Sequence, residues 1–229
     1  MSLTLYFHPL SSFCQKVLIA LYENDTPFVP RLVDLSDEAS RAAFLALWPI
    51  GKFPVLRDLA RDRTIPESSI IIEYLAQHHP GRSALVPADA ELARQTRLRD
   101  RFFDLYVNQP MQKIVGDTFR PAGQNDPLGV EQARAQLATV YGMIDADLGS
   151  KAWVMGDAFS MADCAAAPAL FYAVSHVPLP PQQVHLEAYF ERLMAHPSVA
   201  LAIDQARPWF KFYPGRAGLA RRFFDPAQA

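Results

Sequence analysis

Residues 51–69, GKFPVLRDLARDRTIPESS, are the stretch on which the rest of the chain is read. Pro54 stands at the opening of a strand-like run, Val55 and Leu56. Proline cannot donate to a sheet ladder and is tolerated there only at a strand's beginning or edge. A cis Phe53–Pro54 bond accounts for it: cis isomers are a minority even before proline and mark a specific turn, which here would aim the Phe53 amide and carbonyl into a cleft. Glu67-Ser68-Ser69 then opens an apolar-periodic segment carrying Ile70, Ile71, Tyr74 and Leu75. At such a helix start, unpaired amides and the positive end of the dipole favour a carboxylate. Backbone clamp and polar helix start together suggest a pocket for a peptide-like, charged ligand.

Upstream of this stretch, Leu3 to Phe7 reads as a strand broken at His8-Pro9-Leu10, and Ser11 and Ser12 offer an N-cap before the helically spaced Val17, Leu18, Ala20 and Leu21. Pro27 to Val33 reads as a second strand and Asp37 to Leu47 as a short helix stopped at Trp48-Pro49. Strands at Val55 to Arg57 and Arg63 to Ile65 follow, then a helix from Glu67 to about His78. The order is βαβαββα, which fits a four-stranded sheet with helices on both faces, its first two strands parallel because a helix joins them.

Downstream, residues 81–88 form a polar, proline-bearing connector, and the texture then changes to helix alone. From Asp89 to about Val115 the spacing places Leu92, Leu98, Phe102, Phe103, Tyr106 and Val107 on the inward side, with a kink at Asn108-Gln109-Pro110. Leu128 to Leu148, Phe159 to Ser175, Leu186 to Met194 and Ser198 to Ala206 complete a bundle. Ser160 followed by Asp163 is a capping-box variant at the head of a helix apolar all round, expected to be the buried centre. The chain thus divides into an α/β domain over residues 1–80, a linker, and an all-helical domain with a C-terminal tail over residues 89–229.

Half of the 229 residues are hydrophobic, enough for a large core, and a net charge of −2 gives no bulk reason to expect nucleic acid or an anionic membrane as partner. No signal-peptide pattern or membrane-spanning apolar run is present, so a soluble, cytoplasmic protein is expected. Cys14 and Cys164 are too few for a disulfide framework, and no Cys/His cluster has metal-ligand spacing. His78, His79, His176 and His196, beside prolines near helix ends, read as surface or capping residues.

In this order and at these separations, four elements make the chain resemble a soluble, serine-type glutathione S-transferase over nearly its full length. Ser11-Ser12-Phe13-Cys14-Gln15-Lys16-Val17 is similar to the active-site turn of the serine classes, and Lys52-Phe53-Pro54-Val55 to their cis-proline segment. Glu67-Ser68 is similar to their γ-glutamyl-binding pair, and Ser160 to Asp163 to the capping motif of their sixth helix. The resemblance implies a thioredoxin-like first domain, glutathione as co-substrate with no metal, a small electrophile as second substrate, and a homodimer.

The implied chemistry is to hold the glutathione thiol as its thiolate, the nucleophilic form. A hydroxyl donor at a helix start does this by bonding the sulfur and by lending the dipole's positive end. Lowering the thiol pKa by about two pH units corresponds to about 2.7 kcal/mol of preference for the thiolate. The resemblance gives this role to Ser11, with Ser12 as alternative. Both also suit an ordinary N-cap. Cys14 falls where relatives carry a second, non-attacking cysteine and reads as a small apolar side chain; Tyr6, in the alternating strand, reads as core. Glutathione would be anchored by the Phe53 backbone before Pro54, by Glu67 and Ser68 at its γ-glutamyl end, and by Lys52 at its glycyl carboxylate. Tyr106, Met111 and the aromatic tail (Trp209, Phe210, Phe212, Tyr213) are candidates for the second-substrate pocket. Two further functions fit the same scaffold: a glutathione-dependent cis-trans isomerase of the maleylacetoacetate or maleylpyruvate type, and a non-catalytic interaction protein.

Overall fold

A computed structural model of the chain describes residues 2–224. The expected end of the helical domain at residue 229 lies outside the described residues. Strand β1 (Leu3–Phe7) alternates as its sequence requires, with Leu3, Leu5 and Phe7 buried on one side. Helix α1 (Ser12–Glu23), strand β2 (Val29–Leu32), helix α2 (Glu38–Leu47), strands β3 (Val55–Asp58) and β4 (Arg63–Pro66) and helix α3 (Ser68–His78) follow. The sheet order is β2-β1-β3-β4, with β1 and β2 parallel and the other pairings antiparallel. Proline is tolerated at the rims of this sheet: Pro30 lies in one edge strand and Pro66 ends the other. The apolar sides of α1 and α3 share the main core with Leu3, Leu5 and Leu56, while Phe44 of α2 closes a second, smaller core with Val33, Val55, Tyr6 and Phe53. Tyr6 is therefore packed under α2, on the face of the sheet away from α1.

Among the described residues the further elements are helices, apart from an isolated Trp153–Gly156 bridge: α4 (Ala90–Phe102), a π-helical stretch Phe103–Asn108, α5 (Gln109–Asp117), α6 (Pro127–Leu148), α7 (Met161–Ala173), α8 (Val184–Ala195), α9 (Pro197–Ala206) and short 3-10 turns to Phe223. Every residue of α7 is buried, as its sequence predicts. Asp163 caps it, accepting from the Ser160 N–H and hydroxyl at 2.9 Å each, and also holds the Val154 N–H and the Tyr189 hydroxyl.

The inward face of α4 differs from the one its spacing predicts. Leu92, Leu98 and Tyr106 are 40%, 57% and 47% exposed, whereas Ala93, Thr96, Asp100, Phe103, Asp104 and Val107 point inward. Two physical causes combine. Lys16, buried in the middle of α1, requires the carboxylates of Asp100 and Asp104 opposite it, and the π-helical stretch that follows α4 breaks the 3.6-residue phase at Tyr106. The irregularity also precedes the expected proline kink: Pro110 is the second residue of α5, directly after the π-helical stretch.

The histidines do more than cap. His79, at the end of α3, bonds Asp58 at 2.9 Å; His196, between α8 and α9, bonds Glu23 at 2.8 Å and stacks on Phe159; His176 bonds Tyr213. Glu23 accepts from Ser83 and Ser198 as well, so the end of α1, the connector and the start of α9 converge on one carboxylate. No described helix is long and apolar enough to cross a membrane.

Candidate active site

The turn between β1 and α1 is held from three sides. The Ser11 N–H donates to the His8 carbonyl at 3.0 Å, and the Leu10 N–H donates to His8 Nδ1 at 3.2 Å. One turn into α1, Gln15 Nε2 donates to the Pro9 carbonyl at 2.9 Å and to the Tyr172 hydroxyl of α7 at 2.8 Å. The helical half thereby fixes the turn.

Within it the two serines have separate partners. Ser11 is the N-cap of α1: its Oγ accepts the Cys14 N–H at 3.3 Å, and its own proton has no acceptor among the described residues. Ser12 is buried and donates to Asn108 Oδ1 at 2.9 Å, a tie between the two halves of the chain. Cys14 is fully buried, and burial pushes its thiol up to about 12 against the pull of Ser11; it is neutral and unreactive there.

A cavity of about 460 Å³ brings together Lys52, Phe53, Pro54, Glu67 and Ser68. The Phe53–Pro54 bond is cis. Glu67 precedes α3 with φ 68° and ψ 117°, a left-handed conformation that costs a non-glycine residue about 1–3 kcal/mol. Its side chain is exposed and makes no cap bond, so the carboxylate faces the cavity mouth free of a partner on its own helix. Ser68 beside it is buried, at the first amides of α3.

Behind this helix start lies a charged group that the sequence reading missed. Lys16, 1% exposed, meets Asp100 at 2.7 Å and Asp104 at 2.9 Å and bonds Ser69 Oγ at 2.8 Å; Ser69 in turn donates to Asp100 at 2.6 Å. Burial, with Asp100 alongside, pushes the Asp104 carboxyl up against the opposing pull of Lys16. Both aspartates also line the cavity. The signal was present in the chain as two carboxylates one helical turn apart, with a lysine inside an otherwise apolar helix.

A second cavity of about 370 Å³ has Ser11 on its wall, with Met111, Phe119, Tyr172, Phe212 and Tyr213 among its other lining residues, none of which is charged. Gln112 is common to the lining of both cavities. The tail forms one wall. Phe210 is buried against Phe171, and the Tyr213 hydroxyl lies 2.8 Å from both Ser175 Oγ and His176 Nε2. Burial raises that phenol to about 12 despite the Ser175 bond, so it stays neutral. Trp209 meets the His8 ring edge-on at 5.0 Å, and His8 stacks on Phe53. The tail thus packs on its own chain beside Ser11. Tyr106 does not reach this cavity; on the π-helical stretch it stacks edge-on against Phe102 and lines a separate groove with Gln109 and Lys113. Among the described residues no group of three or more His, Cys, Asp or Glu is placed to hold a metal.

Two family models match the chain: "Glutathione S-transferase, N-terminal domain" over residues 5–83 and "Glutathione S-transferase, C-terminal domain" over residues 103–197. Glutathione S-transferase 3 of Zea mays is 32% identical over 212 residues, covering 86% of this chain and 90% of the relative. Glutathione S-transferase GstB of Escherichia coli is 25% identical over 202 residues, covering 86% and 95%. Among solved structures, a glutathione S-transferase from Methylobacillus flagellatus with glutathione bound superposes with a TM-score of 0.79 at 25% identity, covering 88% of this chain and 98% of that one.

Proposed function

The chain belongs to the glutathione S-transferase family, and from that premise we propose that it conjugates the glutathione thiolate to small, uncharged, mostly apolar electrophiles, as a serine-type member. The observation that carries this reading is the free hydroxyl proton of Ser11 at the positive end of α1, on the wall of an uncharged cavity that shares Gln112 with the Glu67-Ser68 cavity. Ser11 donates to the sulfur and holds it ionised; Ser12, bound to Asn108, is the structural member of the pair. Glu67 accepts from the γ-glutamyl ammonium, Ser68 and its amide donate to the neighbouring carboxylate, the Phe53 backbone pairs with the cysteinyl unit, and Lys52 meets the glycyl carboxylate. Met111 and the tail aromatics hold the second substrate.

Isomerisation of maleyl dicarboxylates is the weaker reading, because the cavity beside Ser11 offers no cation to a carboxylate. The division at residues 80 and 89, a cytoplasmic location in keeping with two buried free thiols, and a homodimer belong to the same proposal. Exposed Ile70 of α3 and Leu98 of α4 support self-association. Calorimetric titration with glutathione, followed by a conjugation assay with chlorodinitrobenzene, tests the function. Saturable binding with turnover is expected; no saturable binding sinks it. A single-chain mass by sedimentation refutes the dimer.

A further inference from the structure

We propose that His8 is a positioning residue for Ser11: as a neutral imidazole it fixes the backbone that presents the serine hydroxyl, and on taking up a proton it releases that backbone, so that bound glutathione loses its thiolate stabilisation in acid. This rests on the transferase reading above and adds a pH-dependent control to it. Two successive amides end on this one residue, the Leu10 N–H on its Nδ1 at 3.2 Å and the Ser11 N–H on its carbonyl at 3.0 Å. On the helical side the same turn is held by Gln15, whose amide donates to the Pro9 carbonyl at 2.9 Å. The half-buried His8 ring is itself wedged, stacked on Phe53 at 6.1 Å between centroids and edge-on to Trp209 at 5.0 Å. Phe53 carries the backbone assigned to the cysteinyl unit, so one imidazole sets the serine and the clamp in register.

An acceptor at Nδ1 requires the ring proton on Nε2, and histidine offers that lone pair only while neutral. Protonation places a hydrogen on Nδ1 facing the Leu10 hydrogen, and the bond is lost. The other side-chain ties of the turn do not titrate near neutral pH: Gln15 has no ionisable group, and burial raises the Tyr172 phenol to which it donates. Burial lowers the His8 pKa from its ordinary 6.5 against the pull of Asp34 in the loop after β2, while Phe53 and Trp209 meet the ring through uncharged side chains. His8 is therefore neutral at pH 7 and takes up its proton only below 6.5. Once the turn is released, the sulfur loses the aligned Ser11 donor and its own pKa rises.

The test follows the ultraviolet absorbance of enzyme-bound glutathione thiolate against pH in wild type, His8→Phe and His8→Asn. Phenylalanine keeps a ring between Phe53 and Trp209 and removes the acceptor; asparagine, whose Oδ1 closes the same two-residue turn, supplies an acceptor that does not titrate. His8→Phe is expected to raise the thiol pKa by about half to one pH unit and to cut kcat about three- to tenfold at neutral pH, and His8→Asn to recover most of both. Below pH 6.5 the wild-type thiolate signal is expected to fall more steeply than that of His8→Asn, because only the wild type releases its turn there. A wild-type thiol pKa in His8→Phe overturns the assignment, and so does a His8→Asn curve as steep as the wild type's; the second comparison stands even where His8→Phe does not fold. Failure of the underlying function reads differently: wild type then binds no glutathione, or holds it as the thiol at every pH, and both readings fall.

Discussion

The Oγ of Ser11 accepts the backbone N–H of Cys14 at 3.3 Å and keeps its own proton uncommitted. One oxygen therefore caps α1 and still has a donor to offer. Ser11→Ala is expected to raise the pKa of bound glutathione toward its free value, cut conjugation by about a hundredfold or more, and lower stability by about 1 kcal/mol through the lost cap. Ultraviolet thiolate absorbance against pH and denaturant melts read the two effects separately. Ser12→Ala should show the reverse pattern, an unchanged thiol pKa with a stability loss of about 1–3 kcal/mol, because Asn108 loses its buried donor. A Ser12→Ala enzyme with a raised thiol pKa would exchange the roles.

Glu67 occupies a backbone region that glycine enters without strain. Glu67→Gly should keep or raise the melting temperature while weakening glutathione binding by about tenfold or more, the loss of one charge-assisted contact. Undiminished affinity by calorimetry would remove Glu67 from the anchor.

Among the described residues Lys16 is the sole cation in contact with buried Asp100. Lys16→Met leaves Asp100 and Asp104 without their central counter-charge and should cost about 3–5 kcal/mol in urea unfolding. Adding Asp104→Asn should recover part of that loss, since it removes one of the two stranded carboxylates; additivity of the two changes would mean that they do not interact.

Asp58 is completely buried, which by itself would raise its pKa, yet bonds from His79, Tyr74 and the Ala60 amide overcome this and hold it at about 2, below its ordinary 3.8. A carboxyl depressed in the fold gives stability that is fully present above its unfolded pKa and lost as pH falls through the folded one. Between pH 4 and 2 the wild type should therefore lose stability more steeply than Asp58→Asn. Parallel curves in thermal melts would show that the network does not stabilise the ionised form.

The tail meets the turn after α7 at Gly218, where an added Cβ would fall 1.9 Å from the Ser175 carbonyl oxygen. Gly218→Ala must displace the segment leading to Phe212 and Tyr213. It should change kcat/KM for the electrophile several-fold while leaving glutathione affinity within about twofold, measured by varying each substrate in turn.

The cis-proline segment and the β1–α1 turn were legible because their signals are local. A proline at a strand opening, a serine before a helical repeat and a capping box each follow from the residues beside them. The α4 face was not legible, since Lys16 on a distant helix reverses the value of burying Asp100 and Asp104, and a π-helical stretch directly after α4 resets the phase at Tyr106. Tyr106 read as an inward residue from its spacing, yet the same phase shift turns it outward. The tail's role was open until Trp209 and Tyr213 met His8 and His176, groups far from them along the chain.

The sequence by itself determined the order of elements, the burial of α7 and the cis-proline and helix-start residues that line the first cavity, because periodicity, capping and backbone sterics act over a few residues. Tertiary structure alone decided which serine keeps a free proton, what lies opposite Lys16, and that Gln112 borders both cavities. Those outcomes depend on which side chains meet across elements remote in the chain, and no local pattern encodes such meetings.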